Sequence, residues 1–177
     1  MAPWLIELSQ AHTQLCNLDI TGCVVPTDGW IAAFRNWNSL TSLRLMSCEL
    51  DDFDVQILSP PETANDQPTL LPKLQKLTLD NEIHLSSTIV RDIVRRRYTL
   101  SEARKVDSVT REVAAIQEVT IRGWDAGKVD HKDVAEIAEC VERLNIGAFQ
   151  GGVSDVVDEG SDSDTEWPSD WDSEGSF

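Results

Sequence analysis

Residues 40–50 read LTSLRLMSCEL and residues 15–25 read LCNLDITGCVV, so the same apolar pattern, LxxLxLxxCxL, occurs twice at a 25-residue interval. Three further stretches repeat its first six positions: LQKLTL at 74–79, IQEVTI at 116–121 and, in degenerate form, VERLNI at 141–146. The alternation of apolar and polar residues in each copy predicts a short strand with one buried face. Because the copies recur along one chain, they predict a repeat architecture.

A helix start follows each of the first four predicted strands. The start signals are residues 26–28 (Pro-Thr-Asp), Asp51 or Asp52, Ser86 or Ser87, and Asp130, each followed by apolar residues at helical spacing. We therefore expect an α/β solenoid with short parallel strands on a concave face and helices on the convex face. Residues 95–97, three arginines, are expected in the last turn of the third of these helices, where they complement the helix dipole. A small anion-docking site is the alternative role for them.

The intervals between the first four repeat starts, 25, 34 and 42 residues, are irregular because two insertions lengthen the units. Residues 59–71 have the composition of a loop. Residues 98–114 mix basic residues with valines, so both an extra helix and a loop remain open. The expected organisation is a repeat domain of four or five irregular units over residues 1–150, followed by a disordered acidic tail over residues 151–177.

Charge separates these two regions and excludes some partners. The chain has a net charge of −16, and residues 151–177 hold nine acids and no base, which leaves residues 1–150 with a net charge of −7. An acidic body lacks the positive patch of a protein that binds nucleic acid or an anionic membrane, so neither partner is expected. Neither a signal peptide nor a membrane-spanning apolar run is recognisable, which favours the cytoplasm or the nucleus.

Residue patterns for catalysis or metal binding are not recognisable in the sequence. The four cysteines form no CxxC pair, and the three histidines are not spaced beside them as ligands, so no metal is expected. We find neither a phosphate-binding glycine loop nor a pairing of nucleophile, histidine and carboxylate. The chain is therefore expected to have no catalytic residues, no cofactor and no enzyme activity.

The cysteine position of the repeat is expected to face the coil interior. Cys23 and Cys48 occupy it in the first two copies, and they are expected to pack there as small buried side chains. Glu82 replaces the cysteine in the third copy and Trp124 in the fourth. We expect the bulk of Trp124 to distort the coil and expose an edge.

The 25-residue unit resembles the cysteine-containing leucine-rich repeat, whose form LxxLxLxxCxxxTDxxxxxF is matched from Leu15 through Cys23 to Thr27, Asp28 and Phe34. This subclass is typical of F-box proteins, the substrate receptors of Skp–cullin–F-box ubiquitin ligases. The stretch LPKLQKLTLDN at 71–81, the expected helix ending in VRRR at 94–97 and the acidic tail are similar to the C-terminal part of fungal F-box-domain proteins. The resemblance covers roughly residues 5–147.

This resemblance implies a leucine-rich-repeat solenoid that binds proteins as the substrate-recognition region of an F-box-type receptor. The F-box, a helical segment that docks the Skp adaptor, normally precedes the repeats, but residues 4–8 already resemble a repeat helix. The chain is expected to be a fragment of a longer receptor, a truncated gene model, or a repeat protein that never had an F-box. Skp adaptor and cullin are expected partners only if an F-box lies upstream, and a leucine-rich-repeat scaffold unrelated to ubiquitin is the alternative.

The strand residues between the apolar positions form the expected partner-binding surface on the concave face. They are Asn17, Asp19, Thr21, Ser42, Arg44, Met46, Lys76, Thr78, Asp80, Glu118, Thr120 and Arg122. Their mixed charge and small aromatic area suit a polar protein or peptide rather than a small apolar ligand. The alternative is that they only solvate the sheet. Arg44 is the first candidate, because its guanidinium group can make bidentate contacts to a carboxylate.

The acidic tail contains the candidate modification sites. Ser161, Ser163 and Ser169 each precede an acid by three residues, a pattern that acidic-directed kinases accept. A phosphorylated or partner-binding tail is one interpretation, and a terminus that only solvates the protein is the other.

Overall fold

The computed structural model describes residues 3–61, 68–106 and 113–147. Five parallel strands form one sheet in chain order, and helices connect them. The strands are β1 (Asn17–Thr21), β2 (Ser42–Met46), β3 (Lys76–Asp80), β4 (Glu118–Arg122) and β5 (Arg143–Ile146). The helices are α1 (Pro3–Ala11), α2 (Thr27–Phe34), α3 (Asp52–Gln56), α4 (Ser87–Val106) and α5 (His131–Cys140), with a 3-10 turn at Ala126–Lys128. The prediction of an α/β fold with parallel strands is confirmed, and the architecture is compatible with a solenoid.

The strands pair in the register that the repeat predicts. Leu18 pairs with Leu43, Leu43 with Leu77, Leu77 with Val119 and Val119 with Leu144, so equivalent positions of all five copies lie side by side. Just before each of the first four strands, one backbone carbonyl group accepts hydrogen bonds from two N–H groups of the next unit. The Cys16 carbonyl does so from Thr41 and Ser42, at 2.8 and 3.0 Å. The same arrangement recurs at the carbonyl groups of Thr41, Gln75 and Gln117.

Each of the first four strands is followed by a residue with a left-handed backbone, which turns the chain toward the next helix. These residues are Gly22, Ser47, Asn81 and Gly123, with φ of 66°, 53°, 58° and 65°. Glycine and asparagine tolerate this conformation best. At Gly123 space adds a second constraint, because a Cβ there would lie 3.1 Å from the Cα of Asn81.

The core lies between the sheet and the helices and consists of the inward repeat positions. In the second unit Leu43, Leu45, Cys48 and Leu50 are all buried, so the LxxLxLxxCxL pattern is the buried set. Cys23 is half-buried and its thiol donates to the Thr21 carbonyl. Trp30 and Trp37 are both buried in the core. Both rings pack against Phe34, at centroid distances of 5.4 and 6.2 Å.

Glu82 and Trp124, which replace the repeat cysteine in the third and fourth copies, are both buried but have different surroundings. The Glu82 carboxylate is buried and accepts hydrogen bonds from the backbone N–H groups of Cys48 (2.7 Å) and Leu50 (3.1 Å). The third unit thereby holds the turn of the second. Burial raises the pKa of Glu82. Trp124 is fully buried beside a β4 strand that pairs in register with both neighbours, so the expected distortion and exposed edge are wrong.

Helix α4 corrects the expectation for the arginines at 95–97. It continues to Val106, which makes residues 98–106 helical and places the arginines in its middle rather than its last turn. Residues 107–112 lie outside the described residues, as do 62–67 of the first insertion. The Arg97 side chain is buried and donates to the carbonyl groups of Leu58 (3.0 Å), Leu70 (2.8 Å) and Leu71 (3.1 Å). It therefore holds the two ends of the first insertion rather than the end of its own helix.

Candidate protein-binding surface

All twelve residues predicted for the partner-binding surface lie on β1–β4, in three columns that cross the strands. The amino-end column is Asn17, Ser42, Lys76 and Glu118; the middle column is Asp19, Arg44, Thr78 and Thr120; the carboxyl-end column is Thr21, Met46, Asp80 and Arg122. Their Cβ atoms point away from the buried leucine positions because side chains alternate along a strand. The columns form one polar sheet face, which we call the ladder face.

A charged bridge crosses the first three strands of the ladder face. The Arg44 guanidinium lies 3.3 Å from a carboxylate oxygen of Asp19 on β1 and 3.3 Å from one of Asp80 on β3. One of its nitrogen atoms also lies 3.5 Å from the sulfur of Met46. The guanidinium is already shared between two carboxylates of this chain. A partner carboxylate would therefore join or replace an existing ion pair rather than meet an unpaired cation.

A second charged bridge lies in the amino-end column. Lys76 Nζ lies 2.8 Å from Glu118, whose other carboxylate oxygen lies 3.3 Å from Arg143 on β5. The hydrogen bond from Lys76, followed by the charges of Lys76 and Arg143, lowers the pKa of Glu118. Arg143 is not among the residues predicted from the sequence. The degenerate fifth copy, VERLNI, could have identified it, because Arg143 lies two residues after the first apolar position of its copy, as Lys76 and Glu118 do in theirs. The same copy places Asn145 on this face, and its amide donates to Thr120 at 3.4 Å.

The predicted residues differ in the surface they offer. Asn17, Asp19, Thr21, Lys76 and Arg122 are exposed. Thr78 and Thr120 are only 8% and 5% exposed, so they contribute little contact area. The accessible part of the ladder face is thus its two outer columns together with Asp19 and Arg44 of the middle column, whose side chains are 54% and 41% exposed.

A polar recess opens at the amino ends of the central strands. It has a volume of about 410 Å³ and includes the second charged bridge. The lining residues are Thr41, Ser42, Gln75, Lys76, Gln117, Glu118, Glu142 and Arg143. A wall of amide, hydroxyl and charged groups suits the backbone and polar side chains of a protein segment better than an apolar ligand.

Other kinds of site have little support in the described part of the chain. Within residues 3–61, 68–106 and 113–147, no group of three or more His, Cys, Asp or Glu side chains is placed to hold a metal ion. No described helix is long and apolar enough to cross a membrane. The phosphorylation candidates Ser161, Ser163 and Ser169, with the whole tail 151–177, lie outside the described residues.

Comparisons with known proteins give no family for this chain. A scan against models of protein families finds no match, and a search of curated proteins finds no similar sequence.

Proposed function

We propose that this chain is a protein-binding module built from leucine-rich repeats, with the ladder face as its docking surface. The observation that carries the proposal is the register of the sheet, which stacks the polar strand positions of successive units into the three columns. At about 4.8 Å between strands, such columns present regularly spaced charges to an extended partner. Complementary charge pairs then set the specificity and the orientation of that partner.

The repeat class is supported by the agreement between the sequence pattern and the buried positions. In the best-formed unit, the two strand leucines, the cysteine and the leucine that follows it are all buried. The five strands lie in chain order, so each unit contacts the next one along the sheet. This is how a solenoid builds a continuous core from units that cannot bury their own apolar faces.

A pair of charge reversals tests the docking surface. Arg44→Glu places a third acid between Asp19 and Asp80 on the ladder face, whereas Lys132→Glu makes the same charge change at an exposed position in α5. Proteins captured by the wild-type chain from cell extract are compared with those captured by each variant, and the affinity of a recurrent partner is then measured. We expect Arg44→Glu to weaken that partner by at least about tenfold and Lys132→Glu to leave it unchanged. The opposite pattern would place the docking surface on the convex side.

The finer proposal is that the module recognises the substrate of an F-box-type ubiquitin-ligase receptor. It is supported by the resemblance of the repeat unit LxxLxLxxCxxxTDxxxxxF and of the VRRR helix to fungal F-box-domain proteins. Coupling to a ligase also needs an F-box that binds the Skp adaptor. Two experiments test whether an F-box is present. Full-length transcripts are sequenced, and their protein product is co-purified with recombinant Skp adaptor. An F-box that retains the adaptor would support the proposal, and a full-length product that fails to retain it would leave the alternative, a scaffold without ligase coupling.

A further inference from the structure

Three apolar side chains are exposed where the chain leaves the sheet for the next helix. Val24 is 69% exposed in the turn after β1, Phe53 is 68% exposed in the first turn of α3 after β2, and Ile83 is 40% exposed after β3. We call these three residues the rim patch. They lie at the carboxyl ends of neighbouring parallel strands and therefore on one edge of the sheet, separate from the ladder face.

The turns that carry the rim patch are fastened to one another. Asp52, next to Phe53, accepts hydrogen bonds from the backbone N–H and the hydroxyl group of Ser86, both at 2.7 Å. On the other side of Phe53, Asp54 accepts a hydrogen bond from the Thr27 hydroxyl group. The second turn is thus tied to the first and to the third. The three turns are thus held side by side at the carboxyl ends of neighbouring strands, which are about 4.8 Å apart.

The surroundings of the rim patch are acidic. The three turn segments, residues 22–28, 47–54 and 81–88, contain six acids and neither lysine nor arginine. Asp28, Glu49 and Asp51 are exposed, whereas Glu82 is buried. Two cations border this region: Lys128 of the fourth turn, which donates to the His84 carbonyl at 3.0 Å, and Arg122 at the end of β4, whose carbonyl accepts from the Asn81 N–H at 2.7 Å.

Charge decides which occupant this surface fits. The chain's own tail, residues 151–177, has nine acids and no base, and a second copy of the chain has a net charge of −16. Both carry the same sign as the rim, and like charges oppose association. A lysine- or arginine-rich segment of another protein has the opposite charge, and its apolar residues can cover Phe53.

We propose that the rim patch docks a basic segment of another protein, in which one or two apolar residues contact Phe53 and flanking lysines or arginines face the exposed acids. This is a second interaction surface, and it does not depend on the ladder face. Aromatic side chains, Phe included, are enriched at protein interfaces. The flanking charge pairs make the association sensitive to salt.

The probe for this surface is a fluorescein-labelled peptide with a Leu-Trp centre flanked on both sides by lysines. Its binding to the full chain is followed by fluorescence anisotropy at low and high salt. We expect Phe53→Ser to weaken binding about tenfold or more and Val24→Ser to weaken it by less. Tyr98→Ser, which removes a 39% exposed aromatic side chain from α4, is the matched control and should leave binding unchanged.

Two control peptides separate the contributions. Replacing the lysines by glutamates should abolish binding, and replacing Leu-Trp by serines should weaken the wild-type complex to the level of Phe53→Ser. Equal binding of the peptide to Phe53→Ser, Val24→Ser and Tyr98→Ser would overturn the proposal, because it would reduce the interaction to general attraction by an acidic protein. Thermal melts establish that each variant is folded, which is expected because all three side chains are largely outside the core.

Discussion

Glu82→Gln is predicted to destabilise the protein although it changes only one oxygen atom to an NH₂ group. The Glu82 carboxylate accepts two backbone hydrogen bonds, from Cys48 at 2.7 Å and from Leu50 at 3.1 Å, in a buried position. A glutamine has one acceptor oxygen and can satisfy one of these N–H groups. Its NH₂ group would face the other N–H group, which would be left buried and unpaired.

The expected cost follows from that single lost acceptor. A buried polar group without its hydrogen-bond partner costs about 1–3 kcal/mol. For a chain of this length, each kcal/mol lowers the melting temperature by about 2–4 °C. Glu82→Gln should therefore melt roughly 2–12 °C below the wild type.

Urea denaturation at pH 7, followed by tryptophan fluorescence and circular dichroism, measures this loss directly. Glu7→Gln, the same substitution at an exposed position in α1, is the control and should unfold like the wild type. If Glu82→Gln and Glu7→Gln have the same free energy of unfolding, the Glu82 carboxylate does not hold the turn of the second unit.

The pH dependence of the same comparison provides a second check. Burial raises the pKa of Glu82, so between its ordinary value and its folded value the native protein binds more protons than the unfolded chain. The stability contributed by this group is then greatest at acid pH and falls as the pH rises through the folded pKa. The stability difference between wild type and Glu82→Gln should widen as the pH is lowered from 7 toward 4.5, and a difference that narrows would contradict the assigned direction.

Three further predictions, two for substitutions and one for a thiol reaction, follow from the packing. Arg97→Met should lower the free energy of unfolding in urea by roughly 2–4 kcal/mol, because the carbonyl groups of Leu58, Leu70 and Leu71 lose their donor. The same change at the exposed Arg95 should cost little, and equal losses would show that Arg97 does not hold the insertion. Leu45→Ala should cost about 2–5 kcal/mol as a buried large-to-small change, and a loss under 1 kcal/mol would indicate a loosely packed second unit. An aromatic disulfide reagent should modify the exposed Cys16 well before Cys48, because burial shields the Cys48 thiol and raises its pKa. Modification of both thiols at the same rate in the folded protein would refute this.

The repeat made the strands and their pairing predictable, because one sequence pattern specifies both the buried face and the register. Aligning the sequences of the first and second repeats already places Asp19 opposite Arg44. Aligning those of the third and fourth places Lys76 opposite Glu118, and both pairs are neighbours in the sheet. The helix starts were also predictable from local chemistry. Asp51 begins α3 with a capping box in which its side chain and that of Asp54 each bind the other's backbone N–H group.

The features that sequence reasoning missed depend on contacts between distant residues. Nothing near Arg97 shows that its side chain enters the core, since its acceptors lie 26 to 39 residues earlier, at both ends of the first insertion. The polar residues after Tyr98 weaken the apolar periodicity, and the helix was therefore expected to end too early. Glu82 was recognised as a departure from the repeat, but its role depends on the two N–H groups that the preceding unit offers it.

Hydroxyl-radical footprinting of a complex shows whether the partner binds on the ladder face. Met46 lies on that face and reacts readily through its sulfur, while Phe53 reports on the rim patch and the exposed Trp4 on α1 serves as the control. The chain is labelled alone and with the partner identified by its sensitivity to Arg44→Glu, and oxidation is read by mass spectrometry. We predict that the partner slows oxidation of Met46 severalfold and leaves Trp4 unchanged. Unchanged oxidation of Met46 in the saturated complex would show that the partner does not bind on the ladder face, and protection of Phe53 alone would move the docking surface to the rim patch.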